Sequence, residues 1–413
     1  MMDNYQIRVC VVGGGASGMM AAGTALSYGA SVTMFEHMPL LGKKLAITGK
    51  GRCNITNASG MQELLDNVPK NPRFLYSAFS SFTPDDTVEL FERLGVKTKV
   101  ERGNRVFPES DKARDVVNAM RKYCDGVTVI HQKVKRIKKN TNGTFTVVAD
   151  TEYCFDKVII ATGGKSYPLT GSDGSGYRLA TSLGHSVTEL KPSLIPITSD
   201  SPYCPLMQGL SLRNVGIKII DANNKILYSD FGEMMFTHFG VTGPVILSAS
   251  AHLTGKDIST LTLSIDLKPA LDEKTLDLRL LSDFHDNANK DFVNSLGQLL
   301  PQKLIGPFIS MSGIDERRKV NSITKEERRV ILSLLQDMRF NLSGLRPIEE
   351  AIITSGGIDV KEITPSTMES KIVEGLFFAG EIIDVDAYTG GFNLQIAFST
   401  GFLAGKNAAE CYY

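Results

Sequence analysis

The chain has six cysteines, Cys10, Cys53, Cys124, Cys154, Cys204 and Cys411, and no two of them make a CxxC pair. That excludes the dithiol of a disulfide reductase and offers neither a zinc ligand set nor a disulfide framework, so reduced thiols in a cytoplasmic protein are expected. The six histidines fall at no metal-type spacing, and no metal is expected. Neither sign of charge is in excess, with 45 Lys and Arg against 45 Asp and Glu. There is thus no global basic field for nucleic acid or an anionic membrane, and basic runs and aromatic platforms are missing too, so a nucleic-acid partner is not expected. No apolar run approaches a membrane span, and the chain enters a strand so early that no signal peptide is expected.

What is present is organised around residues 7–36. Ile7 to Val12 is a short β-branched run, Gly13-Gly14-Gly15-Ala16-Ser17-Gly18 follows at once, and an Ala/Met/Leu-rich stretch leads to Tyr28. A second strand-like run, Ala30 to Phe35, ends at Glu36. Strand, glycine turn, helix, strand and acid are the βαβ unit that binds a dinucleotide. Gly13 permits the tight turn, Gly15 lets the backbone approach a pyrophosphate, Gly18 lets helix and strand pack, and the helix N-terminus offers bare N–H groups to phosphate. Glu36, eighteen residues beyond Gly18, is spaced to accept adenosine ribose hydroxyls and disfavours a 2′-phosphate, which points to FAD or NAD rather than NADP.

Residues 37–60 read as a long functional loop rich in glycine and lysine, running from His37 through Lys43, Lys44, Lys50 and Gly51-Arg52-Cys53-Asn54. Its charges suit pyrophosphate or reduced flavin. Residues 61–125 read as mostly helical, with Thr83 and Pro84 opening one helix and a hairpin near Lys97 to Phe107. Strands are expected at Val127–His131, Val134–Ile137, Phe145–Val148, Tyr153–Phe155 and Lys157–Ile160. The last runs into Ala161-Thr162-Gly163-Gly164, a close backbone approach at the carboxyl end of a sheet. The second glycine cluster, Gly171 to Gly176, reads as a turn and helix cap rather than a second nucleotide site.

From Leu190 the character changes to proline-punctuated strands, with a hairpin about Ala222-Asn223-Asn224 and a strand at Leu261–Leu267. Residues 272–338 read as helical. After Arg346 the pattern returns to strands and glycine turns, including Gly375-Leu376-Phe377-Phe378-Ala379-Gly380-Glu381 and a final helix opened by Gly390-Gly391. That positive helix end suits the negative charge of a reduced flavin. The expected domains are 1–190 with 345–413, 191–271 with 339–344, and a helical subdomain 272–338.

Residues 10–57, the Ala161 to Pro168 stretch, Gly232 to Gly240 and residues 375–395 together resemble the YhiN/BaiN-type family of bacterial flavoproteins, which includes aminoacetone oxidase. Gly51-Arg52-Cys53-Asn54 and Gly390-Gly391-Phe392-Asn393 are its most specific pieces here. The resemblance implies an α/β protein, α+β overall, with a glutathione-reductase-type FAD-binding Rossmann domain, an inserted β-barrel-like domain and a small helical subdomain. It places Gly13 to Gly18, including Ala16 and Ser17, at the pyrophosphate and Glu36 at the ribose. Val134 would lie near the adenine, Glu381 and Asp384 near the ribityl and phosphate region, and Gly391, Phe392, Asn393 and Leu394 at the pyrimidine end.

Flavin carries hydride chemistry and the protein supplies position and electrostatics, so the absence of a triad excludes nothing. Only one dinucleotide fingerprint is present, so NAD(P)H, as a transient reductant, would reach the flavin without a Rossmann domain of its own; otherwise a substrate or oxygen completes the cycle. Candidate catalytic groups are His238, as proton donor or substrate anchor, Tyr388, and Lys44, which would either hydrogen-bond near flavin N5 or bind phosphate. Cys53 has no resolving partner nearby and reads as a small packing residue. The expected function is an FAD-dependent oxidoreductase for a small organic substrate bound between the FAD domain and the insertion. The alternative is a flavoprotein whose FAD is structural or redox-sensing and acts through a protein or RNA partner.

Overall fold

The computed structural model describes residues 6–253 and 255–410; Cys411 lies outside them. The chain divides into two compact units, residues 1–193 with 348–413, and residues 194–347.

The first unit is built on five strands: β1 (Arg8–Val12), β2 (Ser31–Phe35), β3 (Thr128–Ile130), β4 (Lys157–Ile160) and β5 (Leu376–Phe378). They are all parallel, in the order β5-β4-β1-β2-β3. Val9 to Val12 are buried, the near-continuous apolar run of a strand covered on both faces. Helix α1 (Ala16–Ser27) returns β1 to β2, α2 (Ser175–Ser182) follows β4, and α3 (Phe392–Ala409) closes the unit. Glycines let α3 lie against α1. A Cβ at Gly401 would come within 2.5 Å of the Ser17 carbonyl oxygen, and one at Gly405 would overlap that of Ala21.

The helix expected at Thr83 runs Pro84–Arg93, with Thr83 and Asp86 forming a reciprocal capping box. Arg136–Lys139, Phe145–Val148 and Glu152–Phe155 make a three-stranded meander. Val134 precedes it as loop. Its side chain is buried while the flanking Lys133 and Lys135 turn outward to Asp173 and Asp150. Residues 37–60 are not one loop. They hold a short helix, Lys43–Ile47, a 3-10 turn, Thr48–Gly51, and a short strand, Thr56–Asn57, paired with Val106 and Arg105. Lys-Lys-Leu-Ala are good helix formers, and Leu45 anchors the helix by burial.

The second unit is a seven-stranded antiparallel sheet around a long hairpin, Ser211–Ile220 and Ile226–Thr237. The hairpin turns where Asp221 Oδ1 accepts from the backbone N–H groups of Asn223 and Lys225, both at 2.9 Å. Its edge strands, Met338–Asn341 and Gly344–Leu345, do not pair with each other among the described residues, so the sheet is open. Helices Glu273–Asp286, Gln302–Ser312 and Lys325–Gln336 share one core with it, in which Leu280, Phe308 and Leu332 join Ile217, Leu263 and Phe340. No helix among the described residues is long and apolar enough to cross a membrane.

Candidate functional site

A groove of about 1270 Å³, counting its open mouth, lies in the first unit where β1 and β4 end in Val12, Gly13 and Ala161 to Gly163. The carboxyl ends of parallel strands are where open α/β sheets bind ligands. Gly13 has φ +107°, and a Cβ there would sit 2.5 Å from the Ala161 carbonyl oxygen. Gly18 packs on the turn itself, since its Cβ would overlap the Gly13 carbonyl. Gly15 differs from both: a Cβ there would meet nothing within 4 Å. The turn is thus closed behind and open toward the groove.

Glu36 is buried at the end of β2. Its Oε2 accepts from the Gly14 N–H at 2.8 Å and its Oε1 from the Met38 N–H at 2.7 Å, which fixes the carboxylate beside the turn. His37 follows, its Nδ1 3.5 Å from Glu36 Oε1.

The facing wall comes from the segment after β4. Gly163, at φ +71°, lies so close to Ser172 that a Cβ would be 2.8 Å from its Oγ. Thr162 Oγ1 and Ser172 Oγ are buried and have no hydrogen-bond partner among the described residues. Thr170, Gly171, Ser172 and Ser175 belong to this wall, and sequence reasoning missed them. Their signal was the second glycine cluster. It is the helix cap expected, with Gly174 at φ +77° before α2, and it also faces the groove.

Lys44 comes from the short helix. Its Nζ donates to Ser166 Oγ and to Glu381 Oε2, each at 2.7 Å. Glu381 Oε1 accepts in turn from Ser166 Oγ at 3.0 Å and the Thr354 N–H at 2.8 Å. Past β5, the segment to Tyr388 is fastened by Asn393 at the start of α3. Asn393 Oδ1 accepts from the Ala387 N–H at 2.8 Å and Nδ2 donates to the Ala387 carbonyl at 2.6 Å.

Of the residues singled out in the sequence, the groove wall takes Gly13 and Gly15 to Ser17, Glu36 and His37, Lys43 and Lys44, Val134, Ala161 to Gly163, Glu381, and Asn393 with Leu394. The others are not among its lining residues. The Arg52 guanidinium is held by Asp111 at 2.6 Å and Glu101 at 2.5 Å and lies 4.2 Å from the Phe107 ring centre. Gly51 precedes it at φ +85°. Cys53 is buried, which pushes its thiol up to about 12, far from a reactive thiolate. Asn54 Oδ1 is buried with no hydrogen-bond partner among the described residues, and a Cβ on Gly391 would come 3.0 Å from it. Gly380 packs on Ser17, Phe392 is buried, and Asp384 Oδ1 lies 2.6 Å from Lys70 Nζ. Tyr388 is half-buried; burial, then the charge of Asp386, raises its phenol's affinity for its proton. His238 is in the second unit, exposed in the turn between Ile226–Thr237 and Gly240–Thr242, with its ring centre 5.0 Å from that of Phe239. Among the described residues no three His, Cys, Asp or Glu cluster as metal ligands.

The sequence pattern of the family described as "HI0933-like protein Rossmann domain" matches residues 7–407. The chain belongs to this family. It is an enzyme of the FAD-dependent oxidoreductase class. The 3-dehydro-bile acid delta(4,6)-reductase of Clostridium scindens is 30% identical over 98% of this chain and 99% of that one. The ribosomal RNA dihydrouridine synthase of Escherichia coli K12 is 28% identical over 96% of each. Among solved structures, the 3-ketosteroid delta1-dehydrogenase of Sterolibacterium denitrificans superposes with a TM-score of 0.54 at 12% identity, over 98% of this chain and 99% of that one. That last likeness is one of fold alone.

Proposed function

We propose that this HI0933-like enzyme reduces a carbon–carbon double bond conjugated to a carbonyl in a small organic molecule, using FAD in the groove and NAD(P)H as the source of electrons. The observation that carries the cofactor half is a pair of buried hydroxyls with no hydrogen-bond partner among the described residues, on Thr162 and Ser172, both of which line the groove in which Gly15 leaves open space. Buried polar groups ordinarily find partners, and a phosphate- and hydroxyl-rich ligand would provide them. The substrate half draws on the names of two relatives: a 3-dehydro delta(4,6) bile acid and uridine both hold a double bond conjugated to a carbonyl. The zero net charge favours a small molecule over RNA.

FAD, when bound, supplies a hydride from its N5. Gly13 to Gly18 and the first turn of α1 would hold the pyrophosphate, Glu36 the adenosine ribose, and Val134 the adenine edge. Lys44, Glu381 and Asp384 are assigned to the ribityl side, with Lys44 also the group toward N5. Residues 51–54 and 391–394 are assigned to the ring, where the α3 N-terminus favours negative charge. Tyr388 would give a proton to the substrate carbon beside the carbonyl.

The test is anaerobic. Purified protein should release FAD on denaturation, and NADH or NADPH should bleach it. An enone panel and uridine-containing RNA are then offered to the reduced enzyme. Reoxidation by enones with saturated products supports the proposal. Reoxidation by RNA alone transfers the activity to nucleic acid. A flavin that nothing turns over leaves a sensing or structural role, and a protein that takes up no FAD ends every flavin reading.

A further inference from the structure

Asp384, Asp386 and Tyr388 are alternate residues of the segment that Asn393 fastens to α3. Asp386 is 2% exposed and Asp384 3%. The nearby cation is committed: Lys70 Nζ lies 2.6 Å from Asp384 Oδ1. Asp386 is left with hydroxyls. Its Oδ2 accepts from Ser193 Oγ at 2.8 Å, the Ser355 hydroxyl is a second neighbour, and its Oδ1 is buried with no partner among the described residues. An ionised carboxylate in that position would have one oxygen bare of water, cation and N–H donor, with a second carboxylate two residues away. Such a group relieves the cost by holding a proton.

We propose that Asp386 is the proton store of the reaction, keeping a proton on its bare Oδ1 and passing it to the Tyr388 phenol after that phenol has given its own to the substrate. The inference rests on the enone reading above. Burial, with the Asp384 charge adding to it, raises this carboxyl above its ordinary range, against the opposing Ser193, Ser355 and Lys70. Burial likewise raises Tyr388, and an ionised Asp386 would raise it further. A phenol that holds its proton more tightly than a neighbouring carboxyl is refilled by that carboxyl once it has given its own proton up.

The step balances. With FAD bound and reduced, a hydride would be available to the β-carbon, the double-bond electrons moving toward the carbonyl as that C–H bond forms. The Tyr388 O–H bond breaks as the α-carbon gains its hydrogen. The Asp386 proton restores the phenol, and solvent supplies the net proton of the turnover. NAD(P)H replaces the hydride. Asp386 acts through Tyr388 and is a positioning residue.

The test pairs a static readout with a kinetic one on the full chain. In flavin-free protein at neutral pH, infrared spectra should show a protonated-carboxyl band that shifts in D2O and disappears in Asp386→Asn. Ser193→Ala, which removes the hydrogen bond to Oδ2, should move the loss of that band to higher pH, so the proposal stays testable if Asp386→Asn folds poorly. In the FAD-loaded enzyme, Asp386→Asn should leave flavin reduction by NAD(P)H within about twofold and slow reoxidation by an enone about 10- to 100-fold, with a changed alkaline limb of the pH profile. A wild-type protein without the band overturns the proposal and leaves the enone reading intact. So does a band lost in Asp386→Asn with unchanged reoxidation. A wild-type flavin that no enone reoxidises, with the band present, removes the enone reading and the delivery step together.

Discussion

The turn after β1 and the segment from Glu381 to Asn393 border one groove and are made differently. The turn is backbone: Gly13 and Gly18 sit against carbonyl oxygens with no room for a Cβ. The later segment is side chain: Glu381 takes Lys44 and Ser166, Asp384 takes Lys70, and Asn393 fastens Ala387. A wall of backbone is rigid in shape and indifferent to protons. A wall of carboxylates tolerates changes of shape and depends on where its protons and cations are.

The largest effect should come from breaking the first wall. Gly18→Ala drives a Cβ into the Gly13 carbonyl and should cost about 3–5 kcal/mol, or prevent folding. Urea unfolding reads it, and an unchanged midpoint would mean the turn has slack. Breaking the second wall should cost less. Glu381→Gln removes the anionic partner of Lys44, whose side chain is 25% exposed, so about 2 kcal/mol is expected in the same assay. Smaller still, Thr162→Val and Ser172→Ala remove hydroxyls that have no partner among the described residues. Flavin-free stability should stay within about 0.5 kcal/mol while FAD affinity falls about tenfold for each. A loss of stability without a loss of affinity would assign these hydroxyls to the fold instead.

The smallest effect lies away from both walls. His185 is fully buried, its Nδ1 3.0 Å from Glu362 Oε2 and its Nε2 2.9 Å from Ser370 Oγ. Burial lowers its proton affinity despite Glu362. The unfolded chain takes up this proton near pH 6.5 and the folded chain only below that. This contribution is therefore intact above about pH 6.5 and lost as the pH falls, with a slope of at most about 1.4 kcal/mol per pH unit. His185→Gln should flatten that limb of the stability profile and leave flavin content unchanged. If flavin content follows the same limb, pH acts on the groove and not on the fold alone.

Local patterns were legible in the sequence: the β1 turn with Glu36, the Thr83 cap, the meander strands and the glycine opening of α3. Each depends on residues a few positions apart. Pairings across the chain were not. Lys44 and Glu381 are 337 positions apart, and nothing local in Gly51-Arg52-Cys53-Asn54 says that Asp111 and Glu101 will hold Arg52. The segment 37–60 looked like loop because its glycines outweighed the five-residue helix among them. The cluster at Gly171 was legible as a cap, whereas its second role depends on Ser172 lying under Gly163, a tertiary fact.

Gly15 has a consequence for how variation in this protein is read. Its backbone, at φ −80° and ψ −169°, is open to any residue, and the space beside it is empty. A screen that scores abundance should therefore find position 15 permissive and Gly13 and Gly18 forbidden. A screen that scores bound flavin should find all three forbidden. The difference between the two maps at this one codon separates what selection keeps for folding from what it keeps for the ligand.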